Sequence, residues 1–219
     1  SDWQNYDNNF FDFAIELEPR THYTVSVSVQ NAGDEITKDS FFETGKITEP
    51  FSANWIGNSN KDLQNTLLRK EFALDKEITS ARLYMTGLGV YEVYFNNEKI
   101  SDELLAPGVT AYDQVTQVQT YDVTSFLQKT QKYELLISLG DGWYKGNFGF
   151  DGGQENIYGD RQMAIAELHL TFADGTEEVI NTDDSWQTTS GKVTKSAIYY
   201  GEDLDDTLEI TGWEPAVII

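Results

Sequence analysis

The sequence contains no cysteine. Disulfides, thiolate nucleophiles and cysteine-ligated metals are therefore excluded. The redox compartment stays open, cytoplasmic or exported, because a cysteine-free chain folds in either. Histidine is nearly as scarce. His22 and His169 lie far apart in sequence, too little for a histidine-rich zinc site, and both read as ordinary surface residues. Basic residues are few: 15 Lys plus Arg face 37 Asp plus Glu, a net charge of −22 over 219 residues. A field of that sign repels phosphate backbones, which excludes nucleic-acid binding as the main role. Anionic membrane surfaces are disfavoured for the same reason. No apolar run approaches the length of a membrane span, and Ser1-Asp2-Trp3-Gln4 does not read as a signal peptide. Neutral ligands and divalent cations remain as partners.

What is present is apolar and aromatic material in a β pattern. Hydrophobic residues make up 39% and aromatics 13%, enough for one large core or two small ones. From Thr21 to Gln30 the chain alternates, with Tyr23, Val25, Val27 and Val29 on one face. Met163 to Phe172 does the same with Ala164, Ala166, Leu168 and Leu170, and Asp174-Gly175 then turns into Glu177–Asn181 as a hairpin. Tyr133, Leu135, Ile137 and Leu139 mark another buried face. Ala81–Met85 and Val90–Phe95 read as strands joined through Gly87-Leu88-Gly89. Only Val123–Lys129 reads as helical, for a turn or two, capped by Thr124 or Asp122. Short strands with Gly, Asn and Asp turns predict an all-β antiparallel sandwich or jelly roll.

A boundary falls near Gly45–Ala53, where Pro50 interrupts and Trp55-Ile56-Gly57 opens a new set of strands. Residues 1–46 have room for three or four strands, whereas a complete immunoglobulin-like sandwich takes about seven strands and 100 residues. This segment is therefore expected to be part of a sandwich begun upstream, or to pack on the second domain or another copy. Leu17-Glu18-Pro19-Arg20-Thr21-His22-Tyr23 resembles the approach to the tyrosine corner of fibronectin type III domains. In such a corner a tyrosine hydroxyl ties back to nearby backbone.

The second domain carries a more specific series. Phe51-Ser52-Ala53-Asn54-Trp55-Ile56-Gly57 is followed by Thr86-Gly87-Leu88-Gly89-Val90-Tyr91, then Leu105-Ala106-Pro107-Gly108. Leu139-Gly140-Asp141-Gly142-Trp143-Tyr144-Lys145-Gly146 and Tyr158-Gly159-Asp160-Arg161 come next, with Asp184-Ser185-Trp186 and Gly201-Glu202 near the end. This ordered series resembles the N-terminal region of bacterial α-L-rhamnosidases. The resemblance implies a partial fibronectin type III-like domain over 1–46 and a galactose-binding-like jelly-roll domain over 52–219. It also implies a missing downstream catalytic domain, a helical barrel bearing the catalytic carboxylates, and a rhamnosylated glycan or glycoside as partner. The parent reaction it implies is inverting hydrolysis of terminal α-L-rhamnosyl bonds. One departure stands out: after Gly201-Glu202 the family often shows Tyr, Asp and Arg, but this chain reads Asp203-Leu204-Asp205-Asp206-Thr207.

No catalytic residue is assigned. Glycoside hydrolysis needs two carboxylates about 5–5.5 Å apart for retention or about 6.5–9.5 Å apart for inversion. Among 37 acids no spacing singles out a pair. Residues 140–161 are the most unusual stretch, because glycine-bearing turns there alternate with aromatic and planar polar side chains. Asp141, Trp143, Tyr144, Asn147, Tyr158 and Asp160 are the carbohydrate-binding candidates, since a sugar wants an aromatic face and hydroxyl partners. The blander reading, that Trp143 and Tyr144 cover the end of the sandwich, has the edge for Trp143. Calcium is the one metal weighed, with Asp151, Glu155 and Asn156 as oxygen donors; some rhamnosidase jelly rolls bind L-rhamnose through calcium, as the resemblance implies. The expectation is a non-catalytic N-terminal fragment that serves as scaffold and sugar-binding module. A self-standing carbohydrate-binding module and a jelly-roll glycosidase are the alternatives.

Overall fold

A computed structural model describes residues 15–31, 33–128, 131–149 and 153–219. The chain divides into two compact units, the first ending at Glu49 and the second running from Pro50 to Ile219. In the first unit, β1 (His22–Asn31) and β2 (Asp34–Glu43) form one antiparallel hairpin. Those are two of the three or four strands expected there; the expectations that fall on 1–14 lie outside the described residues. Tyr23 and Phe42 stack on one face at 5.1 Å, His22 and Phe41 on the other at 5.2 Å. The Tyr23 hydroxyl accepts the Glu18 N–H at 2.7 Å, the backbone tie that the Leu17–Tyr23 motif predicts.

The second unit continues with β3 (Ile56–Gly57), β4 (Asn65–Ala73), β5 (Ile78–Leu88), β6 (Val90–Phe95), β7 (Glu98–Lys99) and β8 (Gln119–Asp122). After a short 3-10 turn come β9 (Lys132–Gly140), β10 (Met163–Phe172), β11 (Glu177–Asn181), β12 (Gln187–Ser190), β13 (Val193–Ala197), β14 (Gly201–Leu204), β15 (Glu214–Pro215) and β16 (Val217–Ile218). Strands β16-β3-β10-β5-β8, with β11 beside β10, make one antiparallel sheet, and β15-β12-β4-β9-β6-β7 make the other. Strands β13 and β14 form a separate hairpin.

Alternation explains the core. Val93, Phe95, Leu135, Ile137 and Leu139 from the second sheet are buried, as are Leu83, Met85, Ala166, Leu168 and Leu170 from the first. Together they form one apolar layer between two sheets, the arrangement of a β-sandwich. Trp186 closes one end, 1% exposed, its indole N–H donating to the Asn181 carbonyl at 2.9 Å. The predicted helix at 123–129 is the 3-10 turn Thr124–Gln128. Asp122 caps it by accepting the Thr124 N–H at 3.0 Å.

The histidine reading needs correcting at His169. Its Nε2 sits 3.0 Å from Glu167, and its ring stands edge-on to Tyr84 at 5.2 Å. Glu167 is itself 1% exposed and takes hydrogen bonds from the Ser52 hydroxyl at 3.0 Å and the Ala53 N–H at 3.4 Å. The chain entering the second unit thus lies over the face of β10 that alternation alone would leave to solvent. Among the described residues no helix is long and apolar enough to cross a membrane.

Candidate functional site

The segment after β9 is held by a buried polar knot. Lys145 Nζ donates to Asp141 Oδ1 and to the Leu63 carbonyl, each at 2.9 Å. Gln162, 2% exposed, donates from Nε2 to the same Asp141 oxygen at 2.6 Å and to the Gln64 carbonyl at 3.0 Å. Its Oε1 accepts the Thr66 N–H at 2.9 Å. Three stretches of chain are pinned together here, and the charges of Asp141 and Lys145 are mutually satisfied in a buried setting. Asp141 therefore serves first as a strut.

The tyrosines are packed in the same spirit. Tyr112 stands edge-on to Tyr144 at 5.5 Å and to Tyr158 at 5.3 Å. Burial raises the Tyr144 hydroxyl pKa, helped by the negative charge of Asp160. Gly159 allows the ring to lie so close, since a Cβ there would fall 2.1 Å from the Tyr144 hydroxyl. Gly153 does the same for Asn147: its φ is +54°, and a Cβ would meet Asn147 Oδ1 at 1.8 Å. Trp143 is half-buried.

Beside this scaffold opens a polar cleft of about 350 Å³. Of the predicted residues, Asp141, Asn147, Glu155, Asn156 and Asp160 line it, whereas Trp143, Tyr144 and Tyr158 do not. Asp160 pairs with Lys61, which lowers the pKa of Asp160 and raises that of Lys61, first through their hydrogen bond and then through their charges. Asn156 has φ +59° and donates its N–H to the Lys145 carbonyl at 2.8 Å. The aromatic wall comes from elsewhere: Tyr200, 56% exposed at the turn between β13 and β14, carries Lys195 over its ring at 5.5 Å. Its hydroxyl accepts from Asn147 Nδ2 at 3.4 Å. Sequence reading missed Tyr200, Lys195 and Lys61. The available signal was Tyr199-Tyr200 directly before the Gly201-Glu202 of the motif series.

Calcium does not fit the described donors. Glu155 and Asn156 offer side-chain oxygens, while the ion takes six to eight ligands. Among the described residues no group of three or more His, Asp or Glu converges as a metal site. Asp151, the third candidate, lies outside the described residues. Nor do the cleft's best-placed acids form a free carboxylate pair, since Asp141 and Asp160 each hold a lysine.

The family model of the α-L-rhamnosidase N-terminal domain matches residues 76–218. The chain belongs to this family. An α-L-rhamnosidase of Streptomyces avermitilis is 40% identical over 147 residues, covering 67% of this chain and 14% of that protein. The crystal structure of the native α-L-rhamnosidase from Aspergillus terreus superposes with a TM-score of 0.84 at 31% identity, over 93% of this chain and 26% of that one. The Streptomyces avermitilis α-L-rhamnosidase solved with L-rhamnose superposes with a TM-score of 0.66 at 26% identity, over 89% of this chain and 22% of that one. This α-L-rhamnosidase N-terminal domain thus spans about a quarter or less of these three relatives.

Proposed function

We propose that this domain is a non-catalytic N-terminal part of an α-L-rhamnosidase, and that its polar cleft takes up a rhamnosyl unit. The whole protein then hydrolyses terminal α-L-rhamnosyl bonds by direct attack of water, with inversion, using carboxylates of a helical barrel outside this chain. The observation that carries the reading is the superposition at TM-score 0.84 over 93% of this chain, which takes up only 26% of the relative. The cleft adds what a neutral sugar needs. Tyr200 offers a ring face, Asn156 offers an amide, and Glu155 accepts hydrogen bonds. A neutral ligand is also what a chain of net charge −22 tolerates.

The test is an NMR titration of the ¹⁵N-labelled chain with L-rhamnose. Shifts are expected at Asn147, Asn156, Lys195 and Tyr200 at millimolar sugar. They persist in the presence of a chelator, because the described donors do not make a calcium site. Tyr200→Ala weakens binding about fivefold, the loss of roughly 1 kcal/mol of ring contact. An unshifted spectrum at millimolar L-rhamnose would overturn the sugar-binding role and leave the scaffold.

A further inference from the structure

A second and larger cleft adjoins the polar one. Its volume is about 600 Å³, inside the roughly 300–1,000 Å³ range of small-molecule sites. The floor is the outer face of β6 and β9; the walls are Leu104 and Leu105 on one side and the β13–β14 hairpin on the other. Val90, Leu104, Leu105, Val193 and Ile198 make most of the lining apolar. Polar groups are few and specific. Glu92 is already engaged, accepting hydrogen bonds from Lys99 and from the Tyr94 hydroxyl. Burial and that bond to Glu92 push the Tyr94 hydroxyl up to about 12, so it stays neutral across the physiological range. Glu202, from the opposite wall, is exposed and faces the cleft with its carboxylate available to accept a ligand hydroxyl.

The two clefts share a boundary. Gln64, Ser196 and Ala197 line both of them. Gln64 Oε1 accepts the Ser196 N–H at 3.5 Å, which clasps the hairpin to the chain before β4. Ala197 puts only a methyl group at the junction. A polar compartment with an aromatic wall therefore runs into a larger apolar compartment within one groove. Two carboxylates in the apolar half oppose anionic ligands.

We infer that the groove binds a neutral glycoside with an apolar aglycone, the sugar in the polar cleft and the aglycone between Leu105, Val193 and Ile198. This rests on the sugar-binding reading of the polar cleft and adds the class of group to which the sugar is attached. An apolar aglycone displaces water from surface that free sugar cannot reach. Glu202 accepts from an aglycone hydroxyl where there is one.

The experiment compares L-rhamnose with 4-nitrophenyl α-L-rhamnoside on the whole 219-residue chain, by calorimetry and NMR. The aryl glycoside is expected to bind at least tenfold tighter and to shift Val90, Val193 and Ile198 as well as the polar-cleft residues. Ile198→Asp removes that gain and leaves L-rhamnose affinity unchanged. Leu105→Asp does the same from the other wall and guards against a folding defect, since its φ of 57° suits Asp. Equal affinities for the two ligands, with no shifts in the apolar half, would overturn this inference and leave the sugar reading intact. If neither ligand binds, both readings fall.

Discussion

At the scale of single residues, the decisive chemistry is the buried pair of Asp141 and Lys145. Each side chain is 8% exposed, and the ammonium is also tied to the Leu63 carbonyl. Removing one partner strands a charge away from water, which costs about 3–5 kcal/mol. Asp141→Ala should therefore lower the urea unfolding free energy by that amount, and the double replacement Asp141→Leu with Lys145→Met should cost less than the single one. A loss below about 1 kcal/mol for Asp141→Ala would show that the pair is not a strut. The residue's peculiarity was legible in the sequence, as an acid in the glycine-rich stretch 140–161. Its role was not, because Gln162, which donates to it, and Leu63, whose carbonyl holds its partner Lys145, lie outside that stretch. Tyr200 and Lys195 stayed hidden for the same reason: they sit on a hairpin remote in sequence and reach the cleft only through tertiary packing.

Among the elements, the strands were the most readable part of the chain. Alternation with period 2 marks β6 and β9 almost residue by residue, because each has one face on the sandwich core. Alternation misled on the second face of β10. There Ile165 is 6% exposed and Glu167 1%, and chain that precedes β3 lies over Glu167. Periodicity reports a face the sheet packs, not a face another segment later covers. The β1–β2 hairpin is the opposite case. Its pattern is as clean, yet Val29, Ile36 and Phe41 are 63%, 66% and 73% exposed. A two-stranded hairpin is marginally stable by itself. Amides of β1 and β2 should then exchange with deuterium at least about a hundredfold faster than those of β5, β9 and β10. Equal protection would mean that the hairpin is buried by a partner in solution.

At the scale of the whole molecule, the two packed sheets of the second unit carry a groove, polar at one end and apolar at the other. Its acids are engaged where they are buried and spread over the surface elsewhere, as the surplus of Asp and Glu requires. The sandwich class follows from strand spacing and turn residues, whereas the partner of the groove follows only from side chains gathered out of six separate segments. The central claim is that this domain handles rhamnosides without cleaving them. The direct measurement is release of 4-nitrophenol from 4-nitrophenyl α-L-rhamnoside by the purified 219-residue chain. The account predicts release at the rate of buffer alone, even under conditions where the ligand is bound. Steady turnover that tracks protein concentration would contradict it.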